Sequence, residues 1–334
     1  MSMNIAVVVP GGIGEALQAT PLLRTLRAGV PEAHITLLCH PDAVAVADGI
    51  PAVDVAAGVA GLTAPPPTAA AARLWFALRR RRLDAVLLCS TAGSLRAALY
   101  LTGTPRRLGV GGGLSSLLLT GRTRAAASEN RAAAWLRIAA LAGIRQELHS
   151  PAYEPGPEAR READRLIHIS GLDDGRLLAA LAPGLGFART DGVAPGATMW
   201  ASERFAYLAN LLAARHGAGI LLLGSGDDRG AIEQTMLDLG ASAVDLSAQT
   251  DLRVIAGVLA RCDLLVSGDT SLLHLAAAVG TAAVGLYGPT DGRSRGPYGA
   301  DHRIIQALPR PGAQRGAMEQ IRVEDVLAGI EAAL

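Results

Sequence analysis

Along the chain, short unbroken apolar runs alternate with longer stretches in which apolar residues recur every three or four positions. In the first half, NIAVVV, HITLLC and LDAVLLC are solid apolar runs of strand length. Between and after them, ALQATPLLRTLRAGV, DAVAVADGI and GSLRAALYLTG carry helical spacing. RRLGV reads as a short strand, and ENRAAAWLRIAALAGI as one long helix. Continuous apolar strands separated by helices predict a parallel sheet covered on both faces.

Residues 145–166 interrupt this pattern with three prolines and many charges, a linker that runs into a new helix. The alternation then restarts. RLLAALAPG, GILLLGSG, AVDLS, DLLVSGDTS and AAVGLYGPTD read as strands with their following turns. SERFAYLANLLAARHG, RGAIEQTMLDLG, DLRVIAGVLARC and LLHLAAAVG read as the helices between them, and VEDVLAGIEAAL as a closing helix. The pattern predicts two doubly wound α/β domains, residues 1–150 and 151–334. Sheets of this kind bind ligands outside the carboxyl ends of their strands, which puts the expected site in a cleft between the domains.

Bulk composition narrows the class. At 334 residues the chain exceeds one ordinary core, which agrees with two domains. Net charge is +1 and aromatics are 3%, so neither electrostatic pull nor stacking surface points to nucleic acid. Cys39, Cys89 and Cys262 are few and far apart, as in a reducing compartment. No apolar run approaches the ~20 residues that span a bilayer. The expectation is a soluble cytoplasmic protein. One segment qualifies it: ARLWFALRRRR sets Leu74, Trp75, Phe76 and Leu78 before four consecutive arginines. Peripheral contact with the anionic inner face of a membrane is one reading. A solvated basic helix end is the favoured one.

The richest motif is SGDTSLLHLAAAVG, residues 267–280. A buried strand ends, and Asp269, Thr270 and Ser271 stand where a helix begins. Helix capping explains one of the three. A pyrophosphate held by hydroxyls and free backbone N–H groups explains the set. Asp269 would then accept hydrogen bonds from neutral sugar hydroxyls. His274 projects on nearly the face of Ser271, one turn in, either as a core histidine or as a phosphate donor. ILLLGSGDD ends a strand in a glycine turn that lets backbone approach a ligand, or in an ordinary loop. GLYGPTD admits the same two readings.

The turn at residues 11–14, GGIG, is a poor dinucleotide fingerprint. Leu17 stands where the third glycine belongs, and Glu32 is too early for the ribose acid. A nicotinamide-dependent oxidoreductase is therefore a weak alternative. Glu15 sits at the helix start, where it would repel a phosphate. Neither metal nor cofactor is expected: no zinc-binding spacing occurs, and the pairs Asp173–Asp174 and Asp227–Asp228 read as solvated turns.

SGDTSLLHLAAAVGTAAVGLYGPTD resembles the signature of glycosyltransferase family 9, the bacterial ADP-heptose:lipopolysaccharide heptosyltransferases. That signature is Asp-Thr-Gly-x-x-His-x-Ala-Ala-Ala followed by Phe/Tyr-Gly-Pro-Thr. This chain keeps Asp269, Thr270, His274 and Ala276, Ala277 and Ala278, with Ser271 for the glycine. GEALQATPLLRTLRAGVPEAHITLL resembles the family's opening Gly-Asp-x-x-x-x-Thr-Pro-x-Leu. TGTPRRLGV, LLLGSGDDRGAIE and AMEQIRVEDVLAGI continue the likeness in order.

The resemblance implies a GT-B fold, two Rossmann-like domains facing a central cleft. The first would carry the acceptor side and the catalytic base; the second would hold the nucleotide sugar. The resemblance leaves the final helix free to pack back on the first domain. Transfer would be inverting and metal-free, from a nucleotide-sugar donor that is ADP-linked by default. The acceptor would be lipopolysaccharide core or, given the departures below, a secondary metabolite or aminocyclitol. Glu15 falls at the family's catalytic aspartate. Donor contacts are implied for Gly12, Gly14, Thr198, Gly224, Ser225, Thr250, Asp269, Thr270, Ser271, Leu272 and His274. The family's lysine, in Lys-x-Trp-Pro, corresponds to Thr198 when Trp200 is matched. Arg189, in the same loop, is a candidate replacement cation, and Arg293 and Arg295 are the others; the sequence does not choose among them. A non-catalytic nucleotide-sugar-binding relative is the alternative in a different class.

Overall fold

The computed structural model describes residues 3–63, 67–126, 128–147, 149–172, 174–185, 195–247, 251–308 and 317–332. The chain divides into two compact units between Ala152 and Tyr153.

The first unit runs β1 (Asn4–Val8), α1 (Ile13–Gln18), α2 (Thr20–Gly29), β2 (His34–Cys39), α3 (Pro41–Ala47), β3 (Val55–Gly58) and α4 (Thr68–Arg79). It continues with β4 (Ala85–Leu88), α5 (Gly93–Leu101), β5 (Arg106–Val110), β6 (Gly121–Thr123), α6 (Arg131–Leu136) and α7 (Ile138–Leu141). Its sheet is parallel, in the order β3-β2-β1-β4-β5-β6. The continuous apolar runs are its central strands, β1, β2 and β4, buried on both faces. Leu74 and Leu78 of α4 and Leu95 and Leu99 of α5 close one face over Ala6, Val8, Val86 and Leu88.

The second unit runs α8 (Pro157–Ile169), β7 (Leu178–Ala182), α9 (Ser202–His216), β8 (Gly219–Leu222), α10 (Arg229–Leu237), β9 (Ala243–Asp245) and α11 (Leu252–Leu259). It ends with β10 (Leu264–Gly268), α12 (Ser271–Val279), β11 (Ala282–Tyr287), α13 (Gly292–Arg295), β12 (His302–Gln306) and α14 (Val323–Glu331). Its parallel sheet has the order β12-β11-β10-β7-β8-β9. Counted within each unit, both sheets follow the order 3-2-1-4-5-6 of a doubly wound fold. The order reverses between β1 and β4 in one unit and between β7 and β10 in the other. Those reversals leave a crevice at the carboxyl ends of the central strands, where ligands bind. The closing helix α14 packs on β11, β12 and α9 of its own unit.

The structure departs from the sequence pattern in three ways. ALQATPLLRTLRAGV is two helices, because Pro21 near the start of α2 has no N–H to continue the ladder of α1. ENRAAAWLRIAALAGI is likewise split at Arg137 into α6 and α7. Strands β3, β6 and β12 had no apolar run to announce them. All three are edge strands, and their residues are half-exposed.

Candidate functional site

In the first unit, the turn after β1 carries Gly12, Gly14 and Glu15. Gly12 is the N-cap of α1 and Glu15 the third residue of the helix. The Gly12 N–H donates to Glu15 Oε2 at 3.0 Å, so the acid folds back to satisfy an orphan donor of its own helix. Arg131, at the start of α6, donates to Glu15 Oε1 at 3.2 Å. The Glu15 side chain is 15% exposed. Each carboxylate oxygen thus spends one lone pair and keeps another, so the group can still accept a proton or a hydroxyl hydrogen bond. Gly11 has φ +129°, and a Cβ there would lie 2.6 Å from the Glu15 carboxyl carbon. Gly11 therefore makes room for the folded-back acid. Arg131 was invisible to sequence reasoning, being 116 residues away with no motif around it.

In the second unit, the reversal of strand order falls at β7 and β10. Gly268 ends β10, and a Cβ there would stand 2.9 Å from the Thr198 carbonyl oxygen, so the Thr198 backbone passes directly over the strand end. Thr198 itself is buried, as is Trp200. Trp200 donates its indole N–H to the Ile321 carbonyl at 3.0 Å and meets Phe205 edge-on, so it anchors the Thr198 segment to the core.

Thr270 occupies the N-cap of α12 but makes no side-chain cap bond. Its hydroxyl pairs instead with Ser267 Oγ at 2.9 Å. The capping explanation for this threonine therefore does not hold. Asp269, Ser271, Leu272 and His274 gather around the same turn and are buried. Helix α12 closes at Gly280, whose φ of +89° only glycine adopts readily.

Asp269 is paired with Arg295: the Arg295 Nε donates to Asp269 Oδ2 at 2.8 Å, with the carboxylate 7% exposed. A guanidinium is thus a neighbour of Asp269, which the motif alone did not signal. Of the three candidate cations, Arg295 reaches the α12 turn. Arg293 is exposed and bonds Asp291 in its own turn. Arg189 lies outside the described residues, as does Thr250. Tyr287, at the end of β11, is buried against this pair. Burial pushes its phenol well above the ordinary range, and the Asp269 charge adds to that. Gly285 of the GLYGPTD segment and Gly292 just after it leave space for the Tyr287 ring, so part of that motif is packing.

Gly224 and Ser225 stand at the end of β8. The pair Asp227–Asp228, read as solvated, is not so at Asp228, which is buried. Asp228 Oδ2 accepts from the Ser225 N–H at 2.7 Å and from its hydroxyl at 2.8 Å. Its Oδ1 accepts from the Leu185 N–H at 2.8 Å. One carboxylate thus ties the turn after β7 to the turn after β8. Cβ atoms at Gly184 and Gly224 would run into it, at 2.2 and 3.0 Å. Asp173 lies outside the described residues, and Asp174 pairs with Arg176.

Residues 71–321 match the family described as Glycosyltransferase family 9 (heptosyltransferase). The chain belongs to glycosyltransferase family 9. It is a glycosyltransferase, and the oxidoreductase and non-catalytic alternatives fall away. It is 26% identical over 321 residues to Lipopolysaccharide heptosyltransferase 2 of Escherichia coli (strain K12), covering 92% of this chain and 88% of that protein. Over a shorter span of 128 residues, 35% of this chain and 36% of the relative, it is 34% identical to Lipooligosaccharide heptosyltransferase 2 of Haemophilus ducreyi.

Among solved structures it is similar to a family 9 glycosyl transferase from Veillonella parvula, with TM-score 0.80 and 20% identity over 99% of this chain and 97% of that one. It is also similar to E. coli heptosyltransferase WaaC with ADP-2-deoxy-2-fluoro heptose, with TM-score 0.72 and 21% identity over 99% and 100%. These likenesses make each unit of this family 9 enzyme half of a GT-B fold, as the motifs implied.

Proposed function

We propose that this enzyme transfers a heptose from an ADP-linked donor to a hydroxyl of lipopolysaccharide core, by an inverting displacement that uses no metal. The observation that carries the reading is the α12 N-terminus: its N-cap hydroxyl is turned away to Ser267, and the Asp269–Arg295 pair stands beside it. The names of the relatives support it. The E. coli and H. ducreyi proteins are lipopolysaccharide and lipooligosaccharide heptosyltransferases, and the WaaC structure was solved with an ADP-linked fluoro heptose.

In this reading, the first N–H groups of α12, with Thr270 and Ser271, hold the donor's diphosphate. Leu272 and His274 belong to the same turn. Arg295, aligned by Asp269, takes up the charge that grows on the departing nucleoside diphosphate and so fills the place of the family's lysine. Gly224 and Ser225, steadied by Asp228, hold the nucleoside side. Glu15, aligned by Arg131 and the Gly12 N–H, removes the acceptor hydroxyl's proton. The acceptor oxygen bonds to the anomeric carbon as the bond from that carbon to the diphosphate oxygen breaks.

A panel of nucleotide sugars, read by mass spectrometry of the released nucleoside diphosphate, tests the donor. ADP release from ADP-heptose alone is the expected result. Release of UDP or GDP at a comparable rate would overturn the ADP assignment. Glu15, Thr198 and Ser271 all depart from the family signature, so the acceptor panel pairs lipopolysaccharide core with glycosylated small molecules, aminocyclitols included.

A further inference from the structure

The chain's net charge of +1 conceals a strong local imbalance. Between residues 55 and 128 there are ten arginines and a single acid, Asp84. Much of this charge surrounds one apolar surface. Helices α4 and α5 lie side by side over a face of the first sheet, with Leu74, Leu78, Leu95 and Leu99 turned to the core. Their outer sides carry large apolar residues among the charged ones. Phe76 is 59% exposed, Tyr100 54% and Leu101 69%. Between the helices runs an apolar groove of about 380 Å³, floored by Ala71, Ala72, Ala97 and Ala98 and walled by Trp75 and Leu101.

The arginines are placed with the aromatics. The Arg79 guanidinium sits 4.7 Å from the Trp75 ring and 4.9 Å from the Phe76 ring, which meet edge-on at 5.0 Å. Arg107 lies 5.3 Å from the Tyr100 ring. Arg80 and Arg82 are exposed beyond the end of α4, and Arg73 is exposed on its outer side. Trp75 donates its indole N–H to the Leu101 carbonyl at 3.2 Å, which locks the two helices together at the patch.

We propose that this α4–α5 face docks on an anionic lipid bilayer. Aromatic side chains with arginines stacked on them suit the headgroup layer, where the ring is half-buried and the guanidinium meets phosphate. The apolar groove accepts acyl-chain surface. The excess of arginine supplies the attraction that exposed apolar residues alone lack on a membrane. Charge also decides against the other obvious occupant, a second copy of the chain. Two such faces would bring their arginines together with one acid each to offset them. No helix among the described residues is long and apolar enough to cross a membrane, so the contact is peripheral.

The inference does not depend on the donor or acceptor, and its test needs no turnover. The full chain is floated with vesicles of phosphatidylcholine alone and with vesicles of equal parts phosphatidylcholine and phosphatidylglycerol. Binding to the second and not the first is expected, weakening as salt rises. With each basic residue contributing about fivefold on an anionic surface, the combined substitutions Arg79→Glu, Arg80→Glu and Arg82→Glu should weaken binding by a hundredfold or more, roughly. Phe76→Ser should weaken it severalfold, with melting temperature unchanged because the ring is on the surface.

Three results would overturn the proposal. One is wild-type protein left unbound by the anionic vesicles. Another is binding unaltered in both variants. The third is a wild-type dimer in sedimentation that Phe76→Ser dissociates, which would give the face to a second copy.

Discussion

Glu15 answers two demands at once. It satisfies the Gly12 N–H at the start of its helix, and Arg131 fixes its other oxygen. A carboxylate held this way has one orientation, which a general base needs before its acidity matters. Glu15→Gln keeps an oxygen able to accept from Gly12 but has no carboxylate to take a proton. It should retain donor binding by thermal shift and lose transfer by roughly a hundred- to ten-thousandfold. Full turnover in that variant would remove Glu15 from the mechanism. The acid itself was legible, because Thr20 and Pro21 fix its place in the family motif. Arg131 was not, since nothing local to an arginine at a helix start says which distant carboxylate it meets.

At the scale of elements, the proposed donor side is assembled from the carboxyl ends of neighbouring strands. Asp269 follows β10 directly, and Arg295 comes from α13 after β11. Arg295→Gln removes a charge-assisted contact and should lower transfer by about ten- to a hundredfold, with a raised donor KM. It also leaves a buried carboxylate without its cation, so the melting temperature should fall too. Arg295→Lys separates the two effects: it keeps the charge, and partial recovery of KM is expected. Unchanged kinetics in Arg295→Gln would show that the diphosphate charge is met elsewhere.

The strands that form this site were plain in the sequence because both their faces are buried, which demands unbroken apolar runs. The edge strands β3, β6 and β12 were not, because half-exposed edges relax that demand. Asp228 was misjudged for a similar reason. An adjacent acid pair after a glycine turn looks solvated until the turn after β7 is seen to donate to it.

Over the whole molecule, two units repeat one strand order without repeating one sequence. Cys39 ends β2, Cys89 follows β4, and Cys262 lies just before β10. All three are buried free thiols. Burial pushes Cys39 and Cys262 up to about 12 and raises Cys89 as well. A thiol is reactive only as thiolate, so none should react with a thiol reagent near neutral pH in the native state. All three should react once the chain is unfolded. Rapid labelling of any one in the folded enzyme would show that its strand end opens locally.

What the sequence determined by itself is local: which runs are buried strands, which are amphipathic helices, and which short motifs belong to family 9. Those features depend on neighbours along the chain, so they are written in spacing. What only the tertiary structure decided is pairing at a distance. Glu15 with Arg131, Asp269 with Arg295, Asp228 with Leu185, and α4 with α5 beneath an arginine-rimmed groove each join residues from separate elements. Winding the sheet brings them together, and the chain between them carries no mark of where it leads.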